Sequence, residues 1–503
     1  MTLQNSPDRI PVIVGEGEIS DHPKTPTEGL EPLALMVEAL RRAETDAGAR
    51  LINEIDSLDI VNLMSWRYSD PAAQLGKRLG IAPKRAVYGP VGGESPIRYL
   101  HEAAQRIARG ESTVAAVCGA EAQNTVNKAE KAKVDLPWTP FAHDAPPIVR
   151  HASYQHPMAQ ALNVVRPITI YPFYDAASAA HYGQTPREAL AESGSLWATY
   201  SAEASRNPNA WLKDRFSAEA ITTPTADNRL IAWPYTKLMV ANPAVNQGAA
   251  LIMTSLAKAR AAGIPDSKLI YVWGGADAAE PMDYLKRDQF YQSHAQNAVL
   301  GAVMKLAGGS GKAFDAIELY SCFPCVPKMA RRTLGLGPDV QPTVTGGLTF
   351  FGAPLNDYMT HATCGMIRAL RNGKQMGLLY GQGGYVTKHH ALVLSPKPPA
   401  EALAQDTSVQ AESDRNRGPV PEMNPEASGT GTVESFTVIY GRNGEVEHGV
   451  AILRTEDSKR TLGRITADDR ATLAHLTNPD RSPVGSTGTI TRADDGLLNW
   501  RTA

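Results

Sequence analysis

Gly92-Gly93-Glu94-Ser95-Pro96 is the stretch that decides the fold of this chain. It follows the run Arg85-Ala86-Val87-Tyr88, which predicts a strand, and it opens a helical pattern that runs from Pro96 to Arg109. Ser95 is a favourable N-cap residue, and Pro96 suits the first helical position. The sequence therefore places the carboxylate of Glu94 at a strand-to-helix turn, where the helix dipole stabilises negative charge.

Length and composition exclude several classes of protein. With 503 residues, of which 43% are hydrophobic, the chain can bury a large core in more than one domain. Its net charge of −2 gives no electrostatic drive toward nucleic acid or anionic membranes. No apolar run approaches the roughly 20 residues that cross a bilayer. The polar N-terminus has no secretory pattern, so we expect a cytoplasmic protein without a membrane span or a nucleic-acid partner.

The four cysteines do not indicate a disulfide framework. Cys322 and Cys325 form a Cys-x-x-Cys pair, but Pro324 lies inside it and no second pair follows at zinc-finger spacing. We therefore predict no metal site and no cofactor.

Helix and strand patterns alternate in two parts of the chain. The first part contains Leu30–Ala47, Leu58–Met64, Ala72–Leu79 and Ser112–Gly119, and the second echoes it with Ala249–Thr254, Leu269–Trp273, Asn297–Leu306, Asp315–Tyr320, Met359–Arg371 and the hairpin Gly377–Tyr385 with His389–Leu394. This alternation predicts an α/β protein with sheets between helices. The similarity of the two sets suggests two related halves.

Composition shifts predict the domain boundaries. We expect an N-terminal half at residues 1–122 together with 239–260, a loop domain at 123–238 with short helices such as Arg187 to Asn207, and a C-terminal half at 261–395. Residues 396–428 have the composition of a linker. Residues 429–503 contain short alternating strands that suit a small β-barrel.

Five segments, in a fixed order along the chain, carry a resemblance to a known family. They are Asn207-Pro208-Asn209-Ala210, Asn246-Gln247-Gly248-Ala249-Ala250, Ile317-Glu318-Leu319-Tyr320-Ser321-Cys322-Phe323, Gly346-Gly347-Leu348-Thr349-Phe350-Phe351-Gly352-Ala353-Pro354-Leu355 and Tyr380-Gly381-Gln382-Gly383-Gly384. Together they resemble the thiolase superfamily, most closely the sterol-carrier-type thiolases and thiolase-like protein type 1. The resemblance implies a five-layered αβαβα fold and a pocket for coenzyme A as substrate or ligand. It also implies a homodimer, with a monomer left open, and a C-terminal barrel similar to oligonucleotide/oligosaccharide-binding domains.

The catalytic positions depart from that family. Glu94 stands at the position of the nucleophilic cysteine, whose thiolate a helix N-terminus would stabilise. Ala353 replaces the oxyanion-binding histidine of Gly-His-Pro-Leu, and Tyr320 replaces the histidine of His-Asp-Cys-Phe. Cys322 matches a proton-transferring cysteine of the sterol-carrier-type enzymes. Because losing one oxyanion donor costs about 2.7–4 kcal/mol of transition-state stabilisation, we expect no ordinary thiolysis.

Each candidate residue also has a structural explanation. Glu94 is either a general base or a carboxylate that caps its own helix. Cys322 and Tyr320 are either catalytic residues or buried structural residues. The resemblance to the family also implies ligand contacts at Ser95, Asn242, Asn246, Gln382, Gly383 and Gly384.

Three hypotheses for function remain open. The first is a protein that binds coenzyme A or acyl-coenzyme A thioesters without thiolase turnover. The second is an active acetyl-coenzyme A acyltransferase or carbon–carbon lyase of lipid metabolism with unusual catalytic residues, for which Cys322 is the candidate nucleophile. The third is a non-catalytic scaffold.

Overall fold

The computed structural model describes residues 6–145 and 154–503. Its α-helices are α1 (Pro32–Ala47), α2 (Pro71–Leu79), α3 (Ser95–Arg109), α4 (Gln123–Ala132), α5 (Pro157–Ala161), α6 (Pro167–His181), α7 (Pro186–Arg206), α8 (Ala218–Thr222), α9 (Leu256–Ala261), α10 (His294–Leu306), α11 (Cys325–Leu334), α12 (Tyr358–Arg371), α13 (Gln410–Asn416) and α14 (Arg470–Leu476). A π-helical turn spans Gly347–Phe351.

The strands form a core sheet system and a separate C-terminal sheet. They are β1 (Pro11–Ser20), β2 (Ser57–Ile60), β3 (Arg85–Tyr88), β4 (Val114–Ala122), β5 (Leu230–Ala232), β6 (Tyr235–Thr236), β7 (Asn246–Ser255), β8 (Ile270–Ala279), β9 (Ala316–Leu319), β10 (Gly377–Gly383), β11 (Lys388–Ser395), β12 (Gly429–Tyr440), β13 (Val446–Thr455), β14 (Arg460–Thr466), β15 (Thr487–Arg492) and β16 (Leu498–Thr502).

The core strands repeat one pairing pattern twice. Their order is β3-β2-β4-β7-β1-β8-β11-β10-β9. In the first half, β2 pairs in parallel with β3 and β4, whereas β7 is antiparallel to β4 and β1. In the second half, β9 and β10 are parallel, whereas β11 is antiparallel to β10 and β8. The halves meet where Val12 and Ile13 of β1 pair with Tyr271 and Ile270 of β8. The two similar halves expected from the sequence are therefore present.

Helices lie on both outer faces and between the halves. On one side α1 packs on β1, β7 and β4, and on the other α10 packs on β8 and β11. Between the two halves, α3 and α12 contact strands of both and also contact each other. Helix α3 suits this middle layer because Ile97, Leu100, Ala104 and Ile107 recur at helical spacing and are fully buried. This arrangement is the five-layered αβαβα fold expected from the sequence.

A closed five-stranded barrel follows the core. Strand β12 pairs with β13 and β15, β13 pairs with β14, and β16 links β14 to β15. The interior contains Val433, Val438, Leu453, Ile465 and Trp500. The barrel predicted from the strand pattern is therefore confirmed.

The barrel sheet continues into the middle of the chain. Ile439 of β12 pairs with Ala232 of β5, and the Trp233 N–H donates to the Val438 carbonyl at 2.8 Å. Strands β5 and β6 thereby extend the barrel sheet. The short strands of the predicted loop domain and the C-terminal unit are thus joined by backbone hydrogen bonds.

Some local predictions differ from the structure. The segment predicted as a linker contains α13, which contacts α10 and β8, and its residue Leu403 is buried. The helix predicted from Arg187 to Asn207 is α7, and its observed bounds differ by one residue at each end. The domain boundaries themselves stay a prediction. Among the described residues, no helix is both long and apolar enough to span a membrane.

Candidate functional site

Three turns of the core meet at the N-terminus of α3. A Cβ on Gly93 would lie 2.3 Å from the Tyr320 hydroxyl and 2.6 Å from the Gln382 carbonyl oxygen. A Cβ on Gly383 would lie 2.0 Å from Oε2 of Glu94. Since real Cβ atoms do not approach other atoms this closely, side chains at these positions would displace the neighbouring turn. The structure therefore brings Glu94, Tyr320, Gln382 and Gly383 together, as the resemblance implied.

Glu94 is a buried carboxylate with an unsatisfied oxygen. Its side chain makes no capping hydrogen bond to its own helix, and within the described chain its Oε2 has no hydrogen-bond partner. Burial raises the pKa of Glu94, and the charges of Lys388 and Arg98 offset part of that effect. Glu94 therefore does not cap α3 through its side chain, although a hydrogen bond with its own backbone also lowers its pKa. A buried carboxyl group whose pKa is raised in this way is a candidate for proton transfer.

Ser95 does not act as the N-cap that the sequence suggested. Helix α3 starts at Ser95 itself, and Glu94 occupies the N-cap position. The Ser95 hydroxyl donates to the Pro90 carbonyl at 3.4 Å and is completely buried. Its hydrogen bond fixes the loop before the helix, and the predicted ligand contact of Ser95 stays a prediction.

Cys322 is a protonated thiol in a polar niche. Gln382 Nε2 donates to the Cys322 Sγ at 3.2 Å and to the Tyr171 hydroxyl at 2.8 Å. Burial raises the pKa of Cys322 to about 12, although hydrogen bonds from Tyr171 and Gln382 act in the opposite direction. Because the thiolate is the nucleophilic form, Cys322 is a poor nucleophile at neutral pH. Burial likewise raises the pKa of Tyr320, and the nearby Cys322 and Glu94 add to the shift.

Tyr171 of α6 is a site residue that the sequence reasoning missed. Its hydroxyl donates to the Gly384 carbonyl at 3.1 Å, and its ring stacks on Phe323 with centroids 4.3 Å apart. Gly384 has a φ of +69°, so the turn that follows Gly383 depends on glycine at this position. The aromatic run Tyr171-Pro172-Phe173-Tyr174 was the available signal, but its contact with a turn more than two hundred residues away is not visible in sequence.

A polar segment separates Cys322 from an open cleft. The Ala241 N–H donates to the Cys322 carbonyl at 3.1 Å, and the Asn242 N–H donates to the Leu348 carbonyl at 3.0 Å. On its other side, the Asn242 carbonyl accepts from the Ala353 N–H at 2.9 Å. Ala353 is therefore hydrogen-bonded to the segment that lines the cleft, but it is not itself among the described lining residues.

The cleft has a volume of about 980 Å³. Its lining combines apolar side chains with a few polar groups and includes Trp211, Phe216, Ala220, Lys237, Asn242 and Thr349. Such a mixture is typical of a site for a small organic ligand. None of Glu94, Tyr320, Cys322 and Gln382 is among the described lining residues. The segment from Val240 to Asn242 forms part of the cleft lining.

Asn246 has a different environment from Asn242. It is completely buried, and its amide donates to the Asp21 carbonyl at 3.1 Å and to the Thr125 hydroxyl at 3.0 Å. Its oxygen accepts from the Thr125 N–H at 3.0 Å. These bonds use the hydrogen-bonding capacity of the side chain to join β7 to α4. The structure thus gives Asn246 a structural role, and its predicted ligand contact has no support from this geometry.

A second buried cluster lies elsewhere in the core. Glu16, Glu18 and Cys364 are close enough to share an ion. However, Arg368 donates to Glu16 at 3.0 Å and pairs with Glu18 at 2.5 Å, so a guanidinium already balances both carboxylates. His361 Nδ1 lies 2.7 Å from Glu18, which places this histidine in the same network. It does not substitute for the missing oxyanion-binding imidazole.

Solved structures share this architecture. A monomeric SCP2-thiolase like protein type 1 from Mycobacterium smegmatis is 28% identical, with 99% of each chain covered and a TM-score of 0.83. Human mitochondrial 3-ketoacyl-CoA thiolase is 14% identical over 77% of this chain and 99% of its own, with a TM-score of 0.55. A structure described as Ltp2-ChsH2(DUF35) aldolase is 18% identical over 77% of this chain and 97% of its own, with a TM-score of 0.59. No curated protein matches the chain.

These likenesses define a protein of the thiolase fold. More particularly, residues 409–495 match the family model described as the thiolase-like protein type 1 additional C-terminal domain. The resemblance stated from the sequence is therefore confirmed. The description of the M. smegmatis protein as monomeric is consistent with the monomer alternative.

Proposed function

We propose that this protein binds coenzyme A or a coenzyme A thioester without carrying out ordinary thiolysis. The observation that supports the proposal is the buried carboxylate of Glu94 at the start of α3, where the resemblance would place a thiol, next to the turns of Tyr320 and Gly383. A carboxylate is a poor nucleophile toward a thioester. The remaining nearby thiol, Cys322, has a pKa of about 12 and is therefore protonated at neutral pH.

The cleft supports the binding part of the proposal. Its volume of about 980 Å³ suits an extended ligand of the size of coenzyme A. Trp211 offers an aromatic surface and Lys237 a positive charge, which are the groups expected to contact a nucleotide with phosphates. Asn242 and Ala241 line the cleft, and the Ala241 N–H donates to the Cys322 carbonyl at 3.1 Å, so the proposal places the thiol end of a bound ligand at this segment.

Calorimetry with coenzyme A tests binding. We expect saturable binding to the wild-type protein and a loss of at least about tenfold in affinity for Ala220→Trp, which fills the cleft from α8. Ala132→Trp is the matched control, because Ala132 is exposed at the end of α4 and is not a lining residue. No detectable binding to wild-type protein at millimolar coenzyme A would leave the scaffold hypothesis.

Mass spectrometry tests the absence of an acyl-enzyme. After incubation with acetyl-coenzyme A, we expect an unmodified protein mass, because no thiolate is available. The acyltransferase hypothesis instead predicts an acetyl adduct that Cys322→Ser removes. Detection of that adduct would refute the proposal while leaving the binding result intact.

One observation favours carbon–carbon cleavage as a second candidate. Glu94 lies next to Tyr320 and has a raised pKa, and its Oε2 has no hydrogen-bond partner among residues 6–145 and 154–503, which suits proton transfer without a nucleophile. In a retro-aldol reaction, a base removes the hydroxyl proton of a β-hydroxyacyl thioester, the carbon–carbon bond breaks, and the enolate of the shorter thioester is protonated. This candidate predicts release of acetyl-coenzyme A from a 3-hydroxyacyl-coenzyme A, with loss of that release in Glu94→Gln.

A further inference from the structure

We propose that the C-terminal barrel holds the turn between β10 and β11 in place through two buried arginines, Arg460 of the barrel and Arg287 of the core. The inference does not depend on which ligand the cleft takes. It makes both arginines positioning residues for the turn that contacts Glu94 and Cys322.

Arg460 joins the barrel to one loop of the core. Its side chain is fully buried, and its Nε donates to Glu434 of the barrel at 2.7 Å. Its other nitrogens donate to main-chain carbonyls of the core, to Leu285 at 2.7 Å and to Arg287. The guanidinium also lies over the Phe290 ring, 4.8 Å from its centroid. A buried guanidinium with these partners fixes the position of the loop from Leu285 to Phe290 relative to the barrel.

Arg287 carries the connection onward to the turn. It is 1% exposed and pairs with Glu280 at 2.6 Å. Its guanidinium donates to the Val386 carbonyl and, at 3.5 Å, to the Tyr385 carbonyl. The main chain of Arg287 is thus held by the barrel, while its side chain holds the turn.

The turn needs such support because its backbone is strained. Val386 has a φ of +59°, a conformation that β-branched residues rarely adopt. Strained residues persist where surrounding contacts over-determine them, and they cluster at functional sites. The Val386 N–H donates to Oε1 of Gln382 at 3.1 Å, and the same side chain donates to the Cys322 Sγ at 3.2 Å. Release of Val386 would therefore remove one of the two contacts, besides that with Cys322, that hold the Gln382 amide over Cys322.

The reactivity of the cysteines distinguishes this role from general stabilisation. Cys322 is 8% exposed, whereas Cys118 and Cys364 are completely buried in the core and report global opening. In Arg460→Met we expect N-ethylmaleimide to label Cys322 about tenfold faster than in wild type, measured by peptide mass spectrometry. Labelling of Cys118 and Cys364 should stay at the wild-type rate, and Arg460→Lys should restore part of the protection.

Arg464→Met is the matched control. Arg464 lies on the same strand, but it pairs with Asp495 at 2.7 Å and donates to Asn499 at 2.9 Å, both within the barrel. This control should leave Cys322 protected. Equal labelling of Cys322 in Arg460→Met and Arg464→Met, or a parallel rise at Cys118 and Cys364, would overturn the proposal.

A measurement on the unmodified protein covers the case in which Arg460→Met does not fold. In native-state hydrogen exchange, the Val386 amide and the amides of β14 should become exposed in the same opening event. Their opening free energies should therefore show the same dependence on denaturant concentration. Exchange of Val386 at a denaturant concentration where β14 stays protected would show that the barrel does not hold the turn.

Discussion

Gly383→Ala tests whether the Glu94 carboxylate lies against the β10–β11 turn. The added Cβ would lie 2.0 Å from Oε2 of Glu94 and 3.0 Å from the Gly93 nitrogen. Gly383 is not one of the glycines with positive φ, so alanine fits its backbone conformation. Steric overlap with Glu94 therefore decides the cost of the substitution.

The structure sets the size of the effect. Forcing a methyl group into a filled space costs about 1–3 kcal/mol, and the Glu94 side chain must rotate or shift to admit it. In a Glu94→Ala background no carboxylate overlaps the new methyl group. Gly383→Ala then lowers the conformational entropy of the unfolded chain, which favours folding by roughly 0.4–1 kcal/mol. The two substitutions should consequently show a coupling energy of about 1–3 kcal/mol, as contacting residues do.

Urea denaturation of the wild type, both single variants and the double variant measures this coupling. Gly301→Ala in the same two backgrounds is the control, because a Cβ at Gly301 meets no atom within 4 Å. We expect the control to be additive within about 0.5 kcal/mol. If Gly383→Ala is equally costly with and without the Glu94 carboxylate, the described geometry of the site is refuted.

Three further predictions follow from buried charges. Glu94→Cys should not restore thiolysis of acetoacetyl-coenzyme A, because Ala353 supplies no oxyanion-binding imidazole; robust release of acetyl-coenzyme A would contradict this account. Lys328→Met should lower the free energy of unfolding by about 3–5 kcal/mol, because it leaves the buried Asp175 carboxylate without its cationic partner. Lys328 lies 2.5 Å from Asp175, and both side chains are nearly inaccessible to solvent. A loss below about 1 kcal/mol would argue against a buried ion pair. Burial raises the pKa of Glu121 and of Glu318 to about 7. Protonation of these two carboxyl groups therefore stabilises the folded protein fully below about pH 4.5, and this stabilisation is lost as the pH rises through about 7. Glu121→Gln should flatten this decline in denaturation midpoints with pH, and an unchanged slope would contradict the prediction.

Local patterns predicted much of the core. The strand, turn and helix around Glu94 follow from apolar spacing and helix-start residues, and the observed bounds of β3 and α3 differ by at most one residue from those expected. The barrel strands were visible for the same reason, since alternation and turn residues are local signals.

Contacts between distant segments could not be predicted in the same way. The position of Tyr171 against Gly384 depends on how α6 packs, and the proximity of the Glu94 carboxylate to Gly383 joins α3 to a turn far away in the sequence. The conformation of Val386 gives no signal at all, because valine ordinarily avoids positive φ. Tertiary packing determined each of these features.

The shared sheet of the barrel and the β5–β6 hairpin has a practical consequence for truncation. A shortened protein that stops near residue 428 would uncover the edge of β5, whose backbone groups otherwise pair with Ile439. Unpaired strand edges recruit other chains, so such a fragment is prone to aggregate. Expression of the thiolase-like body alone would therefore require removal or redesign of Leu230–Thr236 as well.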